Sequence, residues 1–265
     1  MVKLLKRCYA ALIYLFLYAP ILILIIFSFN ASKSRANWSG FTLNWYFELF
    51  KDRQIMKALY NTVVIALLSS VMATIIGTTA AIGIHNMKKL KKKLVMNLTY
   101  IPVVNPDIVT GLSLMLLFVF TKFPLGLFSL LLAHITFNLP YVILSVLPKL
   151  KQLDKNLYEA ALDLGASPLH AYHKVILPEI MPGIITGMLL AFTLSVDDFV
   201  ISFFTTGSGV STLSIIIYSM ARRGINPKIN ALSTLLFLTV LLLLIIVNLR
   251  TSGNGANKKR SDLKW

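Results

Sequence analysis

The chain has 265 residues, of which 57% are apolar and only 14% are charged, and its mean hydropathy is +0.76. Soluble domains carry about 45–50% apolar and about 25% charged residues, so this composition excludes an ordinary soluble enzyme and a disordered chain. The single cysteine, Cys8, excludes an internal disulfide, and no cluster of cysteines and histidines has the spacing of a structural metal site.

The formal net charge is +16, which in a soluble protein would indicate nucleic-acid binding. Here the basic residues lie between long apolar stretches, and five lysines form a run within residues 88–93. Such a run favours contact with anionic lipid headgroups. We therefore expect membrane lipids as neighbours of the chain and no nucleic acid as a partner.

Six stretches have the length and apolar character of a helix that crosses a bilayer, which takes about 20 residues. They are residues 8–29, 61–84, 94–120, 125–147, 181–204 and 231–249. The sequence thus predicts an all-α membrane protein with six transmembrane helices in one domain over residues 1–265. Lys and Arg number 17 on the side that carries both termini and nine on the other. The bias of basic residues towards the cytoplasm therefore predicts two cytoplasmic termini.

Small residues recur within two of these stretches at the spacing of a helix face. Ala73, Gly77 and Ala81 form one stripe, and Gly183 with Gly187 forms a G-x-x-x-G pair. This pattern lets neighbouring helices approach closely in lipid, so it predicts helix packing and carries no information on a substrate.

The motifs of common catalytic sites do not occur in the sequence. The dipeptide Gly-Lys, which ends a phosphate-binding loop, is missing, and there is neither an H-E-x-x-H nor a G-x-S-x-G motif. The chain is therefore predicted to be non-catalytic, with no catalytic residue, metal ion or cofactor of its own.

Residues 151–178, between the fourth and fifth stretches, have the pattern of two short helices joined by a turn. Asp154 can cap the first helix, Gly165 can end it in a left-handed conformation, and Ser167 with Pro168 can begin the second. An exposed helical hairpin on a membrane protein without its own ATPase favours a docking element for a soluble partner. The alternative is an amphipathic loop that lies on the membrane surface.

The hairpin resembles the EAA loop of ABC-importer permeases in its residues and their spacing, with Val175 where isoleucine is commoner. The matching residues are Glu159, Ala160, Ala161, Gly165, Leu177 and Pro178. The resemblance implies the type I ABC importer permease fold, in which this loop is a coupling helix that contacts an ATPase subunit. It also implies a bacterial inner-membrane location and three kinds of partner: a second permease subunit, two copies of an ATPase subunit that bind ATP and Mg, and an extracytoplasmic substrate-binding protein.

A closer resemblance, to the permease subunits of spermidine/putrescine importers, extends over nearly the whole chain. The stretches that carry it are residues 18–30, 37–46, 106–109, 129–140 and 193–202. The last of them, TLSVDDFVIS, is the most discriminating because it places two acids inside a predicted span. This resemblance implies that the substrate is a polyamine, delivered by a polyamine-binding protein.

Three acids, Asp107, Asp197 and Asp198, lie inside predicted spans, where an ionisable group costs about 2.5–3.5 kcal/mol and usually faces a cavity or a partner. By helix rise, Asp107 and Asp197 both lie about 20 Å from the cytoplasmic end of their spans. Their charge favours a cationic substrate over an oxyanion. We therefore expect these three residues to line the substrate pathway. Neighbouring helical residues point about 100° apart, so one of Asp197 and Asp198 is expected to face the pathway while the other supports it.

Each acid also has a structural interpretation. Asn105, Pro106 and Asp107 have the pattern of a helix start, which would break the third span in mid-membrane. Asp197 or Asp198 could pair with His134 or with a residue of the partner permease. His134 and Asn138, four residues apart, are more typical of hydrogen bonds between helices than of a binding site.

Two other functions stay open at the level of the sequence. The chain could be a permease of the same architecture for another substrate, such as a metal cation or an amino acid. It could also be a stand-alone ion-coupled transporter, which would work without any ATPase subunit.

Overall fold

The computed structural model describes residues 2–32, 37–154, 156–223, 227–242 and 245. Over these residues the chain is helical, and the only strand-like feature there is an isolated antiparallel bridge between Asn30 and Phe41. The helices are α1 (Val2–Phe27), α2 (Asn44–Lys51), α3 (Arg53–Asn86), α4 (Lys89–Val104), α5 (Asp107–Phe120), α6 (Leu127–Gln152), α7 (Asn156–Asp163), α8 (Pro168–Ala171), α9 (Leu177–Asp197), α10 (Val200–Thr205), α11 (Leu213–Arg223) and α12 (Pro227–Leu242). The predicted all-α class is confirmed for the described part of the chain.

The chain divides into two compact units. The first contains the residues up to Met56 and those from Ile217 onward, and therefore includes α1, α2 and α12. In this unit the segment that follows α1 is held by α2, since the indole Nε1 of Trp45 donates to the carbonyl oxygen of Asn30 at 2.8 Å. The buried Trp45 side chain thus ties the end of α1 to α2.

The second unit, Lys57–Ile216, is built around α6. Helices α3 and α9 both contact α6, and they meet at Val142, which a Cβ atom on either Gly77 or Gly187 would touch. The buried residues of this core are Ala73, Ala81, Ile84, Ile135, Val142, Ile143, Val146, Leu147, Leu150, Ile176, Ile180 and Ala191. The core therefore follows the length of α6 and contains no charged side chain.

The predicted packing role of the small residues is confirmed in this unit. A Cβ atom on Gly77 would lie 2.7 Å from Cγ1 of Val142, and one on Gly187 would lie 3.1 Å from the Cα of Val142. A Cβ atom on Gly183 would lie 2.9 Å from the carbonyl oxygen of Ser145. The glycines of α9 thus allow that helix to approach the backbone of α6 closely, and Gly77 of α3 leaves room for the side chain of Val142.

Four helical runs in the described part are long and apolar enough to cross a membrane: Leu5–Phe27, Arg53–Asn86, Leu127–Gln152 and Pro168–Asp197. They correspond to the first, second, fourth and fifth predicted stretches. Helices α4 and α5 form the third stretch and bend by 107° where they meet, so the count is five if this pair is one span. The predicted stretch 231–249 overlaps α12 and continues into residues outside the described ranges.

Two of the predicted spans are broken inside the bundle. The helix start predicted at residues 105–107 is present, although Pro106 rather than Asn105 is the N-cap residue and Asp107 is the first helical residue. The prediction of one continuous helix over residues 181–204 is wrong, since α9 ends at Asp197 and α10 begins at Val200. The first break follows from proline, which cannot donate a backbone hydrogen bond, whereas no proline or glycine lies at the second.

A five-residue π turn, Tyr172–Ile176, joins α8 to α9 without interrupting the helix. Pro178 lies just beyond this turn, and in a regular α-helix its ring would crowd the carbonyl of Lys174 four residues earlier. The wider π turn moves that carbonyl away from the ring. The second half of the hairpin and α9 are therefore one continuous helical run.

We expect Gly183→Ala to destabilise the protein although alanine favours the helix. The added methyl group meets the backbone of α6, which cannot move aside, so overpacking of about 1–3 kcal/mol exceeds a helix-propensity gain of about 0.5–1 kcal/mol. The measurement is the thermal unfolding midpoint of the purified protein in detergent. The control is Gly83→Ala in α3, whose Cβ would have no atom within 4 Å. An unfolding midpoint at or above wild type for Gly183→Ala would contradict the close contact.

Candidate functional site

Asp198 lies in the break between α9 and α10 and holds the first turn of α10. Its Oδ1 atom accepts a hydrogen bond from the amide of Ile201 at 3.1 Å, and its Oδ2 atom accepts one from the amide of Ser202 at 2.7 Å. These amides belong to a helix start and have no partner within α10. The carboxylate therefore stabilises α10 both by hydrogen bonding and by its negative charge at the helix N-terminus.

His134 of α6 completes the surroundings of Asp198. Its Nε2 atom lies 3.6 Å from Oδ2 of Asp198 and 3.0 Å from the hydroxyl oxygen of Ser202. The side chains of His134 and Asp198 are only 1% and 5% exposed. The structure thus places His134 beside one of the two adjacent acids, and Asp198 is fully engaged by groups of its own chain.

Asp197 differs from its neighbour in both exposure and partners. It is the last residue of α9 and its side chain is exposed. It forms no hydrogen bond or ion pair with any residue that the structure describes. The two adjacent acids therefore differ in their surroundings, and of the two only Asp197 has a carboxylate without a bonding partner among the described residues.

Asp107 lies at the other break, as the first residue of α5, and its side chain is also exposed. Its carboxylate is close enough to the hydroxyl of Tyr141 on α6 for the two groups to interact electrostatically. Tyr141 was not singled out from the sequence, because one tyrosine in an apolar stretch carries no signal of its own.

The two breaks lie side by side because α5 packs against α10. A Cβ atom on Gly111 of α5 would lie 3.4 Å from the Cα of Ile201 and 3.2 Å from a ring carbon of Phe204. Gly111 and Ile201 are each within about one turn of their break. The fold thus brings together the segments that carry Asp107, Asp197 and Asp198, which are far apart in sequence.

A second polar cluster holds α9 to α3 and α6 just before the break. The amide nitrogen of Asn138 donates to Oγ of Ser195 at 2.8 Å, and the hydroxyls of Ser195 and Ser69 are 3.0 Å apart. All three side chains are buried. The prediction that Asn138 and His134 bond neighbouring helices is confirmed, while Ser69 and Ser195 were missed because serines are common in membrane helices.

The segment after α10 is also fixed to this region. The hydroxyl of Ser214 donates to the carbonyl oxygen of Asp198 at 2.6 Å, and the hydroxyl of Thr62 accepts from the amide of Leu213 at 2.8 Å. Side chains of α3 and α11 therefore satisfy backbone groups that the broken helix leaves open.

The hairpin has the turn geometry that its sequence predicts. Gly165 has φ +84°, and two hydrogen bonds close the end of α7, from the amide of Gly165 to Leu162 O at 2.9 Å and from Ala166 to Ala161 O at 3.1 Å. This pair of bonds is the Schellman motif that ends a helix at a left-handed residue. Ser167 caps α8, accepting a hydrogen bond from the amide of His170.

Residues of the EAA pattern occupy both faces of the hairpin. Glu159, Ala160 and Pro178 are exposed, whereas Ala161 is buried and Leu177 is half-buried against the core. Leu164 and Leu169 flank the turn and are 89% and 72% exposed. The tip of the hairpin therefore presents apolar side chains that no other described residue covers.

The aromatic residues of the first loop are divided between core and surface. Trp45 is buried and bonded to Asn30, whereas Trp38, Phe41 and Phe47 are exposed.

Among the described residues, no group of three or more His, Cys, Asp or Glu side chains is arranged to hold a metal ion.

Comparison with known proteins identifies relatives over nearly the full chain. Residues 73–252 match the family model of binding-protein-dependent transport system inner membrane components. The spermidine/putrescine transport system permease protein PotC of Escherichia coli K12 is 40% identical over 261 residues, covering 97% of this chain and 99% of that protein. The putrescine transport system permease protein PotI of the same organism is 43% identical over 229 residues, covering 83% of this chain and 81% of that protein.

Solved structures share the fold at low sequence identity. A chain of a bacterial ABC transporter that imports the acidic polysaccharide alginate has a TM-score of 0.69 at 17% identity, covering 99% of this chain and 96% of that chain. A chain of the MetNI methionine ABC transporter has a TM-score of 0.56 at 20% identity, covering 83% and 98%. The sequence matches cover most of the chain at 40% identity or more, and they therefore show its family. They confirm the resemblance that the EAA loop indicated. The chain belongs to the binding-protein-dependent transport system inner membrane components, among the PotC-like permease subunits of ABC importers.

Proposed function

We propose that the chain forms half of the translocation pathway of an ATP-driven importer for polyamines, spermidine or putrescine. The observation that carries this proposal is the exposed carboxylate of Asp197 at a helix break, beside the break that carries Asp107. An ammonium group that leaves water needs a replacement for its hydration, and a carboxylate without an internal partner provides one. The names of the relatives PotC and PotI support the same substrate class.

In this proposal the three acids have different roles. Asp197 contacts the substrate, and Asp107 contributes negative charge from the neighbouring break. Asp198 belongs to the pathway as the residue that holds α10, since its oxygens are already bonded to Ile201 and Ser202. A substrate with several positive charges would meet more acids than bases at the two helix breaks. The described acids there are Asp107, Asp197 and Asp198, and the described base is His134.

The wider architecture is also part of the proposal. The chain would be a single permease domain with six transmembrane helices, in the bacterial inner membrane and with both termini in the cytoplasm. It would pair with a second permease subunit, two copies of an ATPase subunit that bind ATP and Mg, and an extracytoplasmic polyamine-binding protein. Support comes from family membership and from the excess of basic residues on the side of the termini.

We further propose that residues 151–178 couple ATP hydrolysis to transport. The exposed Leu164 and Leu169 at the tip would enter the ATPase subunit, with Glu159 beside them. The run Pro168–Asp197 has 30 residues without an interruption of the helix, about 45 Å at the rise of an α-helix. A movement of the hairpin would therefore reach the break at Asp197 through one continuous element. A stand-alone transporter would have no use for this arrangement.

We expect Asp197→Asn to lower polyamine uptake about tenfold or more, because the charge-assisted hydrogen bond to an ammonium group is lost. Assembly of the complex should stay at the wild-type level, since Asp197 has no bond to the described chain. The measurement is spermidine uptake into proteoliposomes that contain the full importer and its binding protein. Asp107→Asn should have a smaller effect. Normal uptake by Asp197→Asn would remove the role proposed for this residue.

Asp198→Asn should instead lower stability as well as uptake. In asparagine an NH2 group replaces one of the two acceptor oxygens, so it would face the amide of Ile201 or of Ser202 as a second donor, and that hydrogen bond would be lost. We expect a loss of about 1 kcal/mol or more, the scale of a lost helix cap. Comparing the unfolding midpoints of the two Asn variants tests this division of roles. Equal midpoints would contradict it.

Gly165→Val should leave the complex assembled but uncouple ATP hydrolysis from uptake. The left-handed turn would cost about 1–2 kcal/mol or more with a β-branched residue, which would displace the hairpin tip. The matched control is Gly209→Val, since Gly209 also has a positive φ, +88°, but lies outside the hairpin. The readout is the number of ATP molecules hydrolysed per polyamine imported. The same ratio in Gly165→Val and wild type would exclude this coupling role.

A further inference from the structure

A cavity of about 370 Å³ lies where the hairpin meets the ends of α3 and α6. Its volume is in the range of pockets that hold small molecules. The cavity borders Ile176, and Asp197 lies 21 residues further along the same helical run, about 30 Å away. The cavity is therefore separate from the helix breaks that carry the acids.

The lining of the cavity has an apolar and a polar part. Ile82, Leu150 and Ile176 form the apolar part and belong to or border the core of the unit. The polar part comes from the last turn of α3, the end of α6 and the two hairpin tyrosines. Such a division suits a ligand with one charged group and one organic group.

His85 supplies a buried nitrogen that lacks a partner. Its Nδ1 atom is shielded from solvent and has no hydrogen bond to any described residue. Buried polar atoms in folded proteins are nearly always bonded to protein, water or ligand. Because the same atom is also closed to the cavity, His85 lines the cavity through its other atoms, and its Nδ1 supplies no donor there.

The charge around His85 is positive. Lys151 lines the same cavity as His85, and the ammonium group of Lys92 donates to the backbone oxygen of His85 at 3.0 Å. The described lining contains one acid, Asp154, and its Oδ1 atom already accepts from the amide of Asn156 at 3.0 Å. Lys151 in the lining and Lys92 beside His85 outnumber the one partly engaged carboxylate, and this favours an anion.

Of the two hairpin tyrosines, Tyr172 has a hydroxyl group that can still donate a hydrogen bond. The amide nitrogen of Asn86 donates to the hydroxyl oxygen of Tyr172 at 3.2 Å, so the hydroxyl proton of Tyr172 stays available for another acceptor. The rings of Tyr172 and Tyr158 are 5.0 Å apart and support each other. Lys151 and Tyr172 thus place two donors on one cavity, which suits an anion with several acceptor oxygens.

We propose that this cavity binds a phosphate-bearing anion about the size of glycerol phosphate. Lys151 and Tyr172 hold the phosphate oxygens, and Ile82, Leu150 and Ile176 contact the organic part. The source is either the headgroup of an anionic phospholipid or a free phosphate ester. The basic run of residues 88–93 directly after α3 would raise the local concentration of either one.

The test is a binding measurement on the whole importer complex, purified in detergent and stripped of lipid. It is titrated separately with short-chain phosphatidylglycerol, with phosphatidylcholine of the same chain length and with glycerol 3-phosphate, and native mass spectrometry counts the bound molecules. Lys151→Gln should weaken binding about tenfold, as expected when one charge-assisted hydrogen bond is lost. The control is Lys149→Gln, two residues away on α6, whose ammonium donates to Gln152 and does not line the cavity.

Tyr172→Phe keeps the ring and removes only the hydroxyl, so it tests the site even if Lys151→Gln fails to assemble. We expect it to weaken binding about threefold or more. Saturable binding of phosphatidylglycerol alone would assign the lipid as the source, and competition by glycerol 3-phosphate would assign a free ester. Equal binding to wild type, Lys151→Gln and Tyr172→Phe, or no saturable binding of either probe, would overturn the proposal. These outcomes do not depend on polyamine uptake, so they are independent of the proposed function.

Discussion

A helix that stops inside an apolar bundle leaves amide and carbonyl groups that water cannot satisfy. At the break between α9 and α10, the carboxylate of Asp198 accepts hydrogen bonds from two amides at the start of α10, and the hydroxyl of Ser214 donates to the carbonyl oxygen of Asp198. The break can persist for this reason. The free carboxylate of Asp197 is presented at the break, so the exposed acid depends on the buried one.

Helix α6 keeps this arrangement in place through two kinds of contact. Its backbone is approached closely by the glycines of α9 and its Val142 side chain by Gly77 of α3, which fixes the distances between the three helices. Its polar side chains then fix their registration, since Asn138 bonds to Ser195 before the break and His134 contacts Asp198 and Ser202 after it. Close packing alone would allow α9 to slide along α6, whereas paired polar groups in an apolar surrounding do not.

The parts of the fold that depend on local sequence could be predicted. The length of an apolar stretch predicts a span, proline predicts the break at Pro106, and the caps Asp154, Gly165 and Ser167 predict the hairpin. Each of these signals acts over a few residues.

The break after Asp197 could not be predicted in the same way. Asp198 holds it locally, through the amides three and four residues ahead, but His134 and Ser214, which also hold it, lie elsewhere in the sequence, and neither glycine nor proline marks it. From the sequence, the adjacent positions of Asp197 and Asp198 and their depth in the membrane suggested that one acid faces a substrate and the other supports the first. Only the hydrogen bonds of Asp198 show which acid is engaged, because a sequence states the neighbours of a residue along the chain and not across the bundle.

The π turn at Tyr172–Ile176 joins α8 to α9 in one helical run, and this limits which insertions and deletions the subunit can accept. One residue added to or removed from a helix rotates everything beyond it by about 100° as well as shifting it by about 1.5 Å. The 30 residues of the run Pro168–Asp197 therefore fix an angle as well as a distance between α8 and the acid. Substitutions in this stretch can be absorbed one at a time, but a single insertion or deletion would turn the carboxylate to a different face of the bundle.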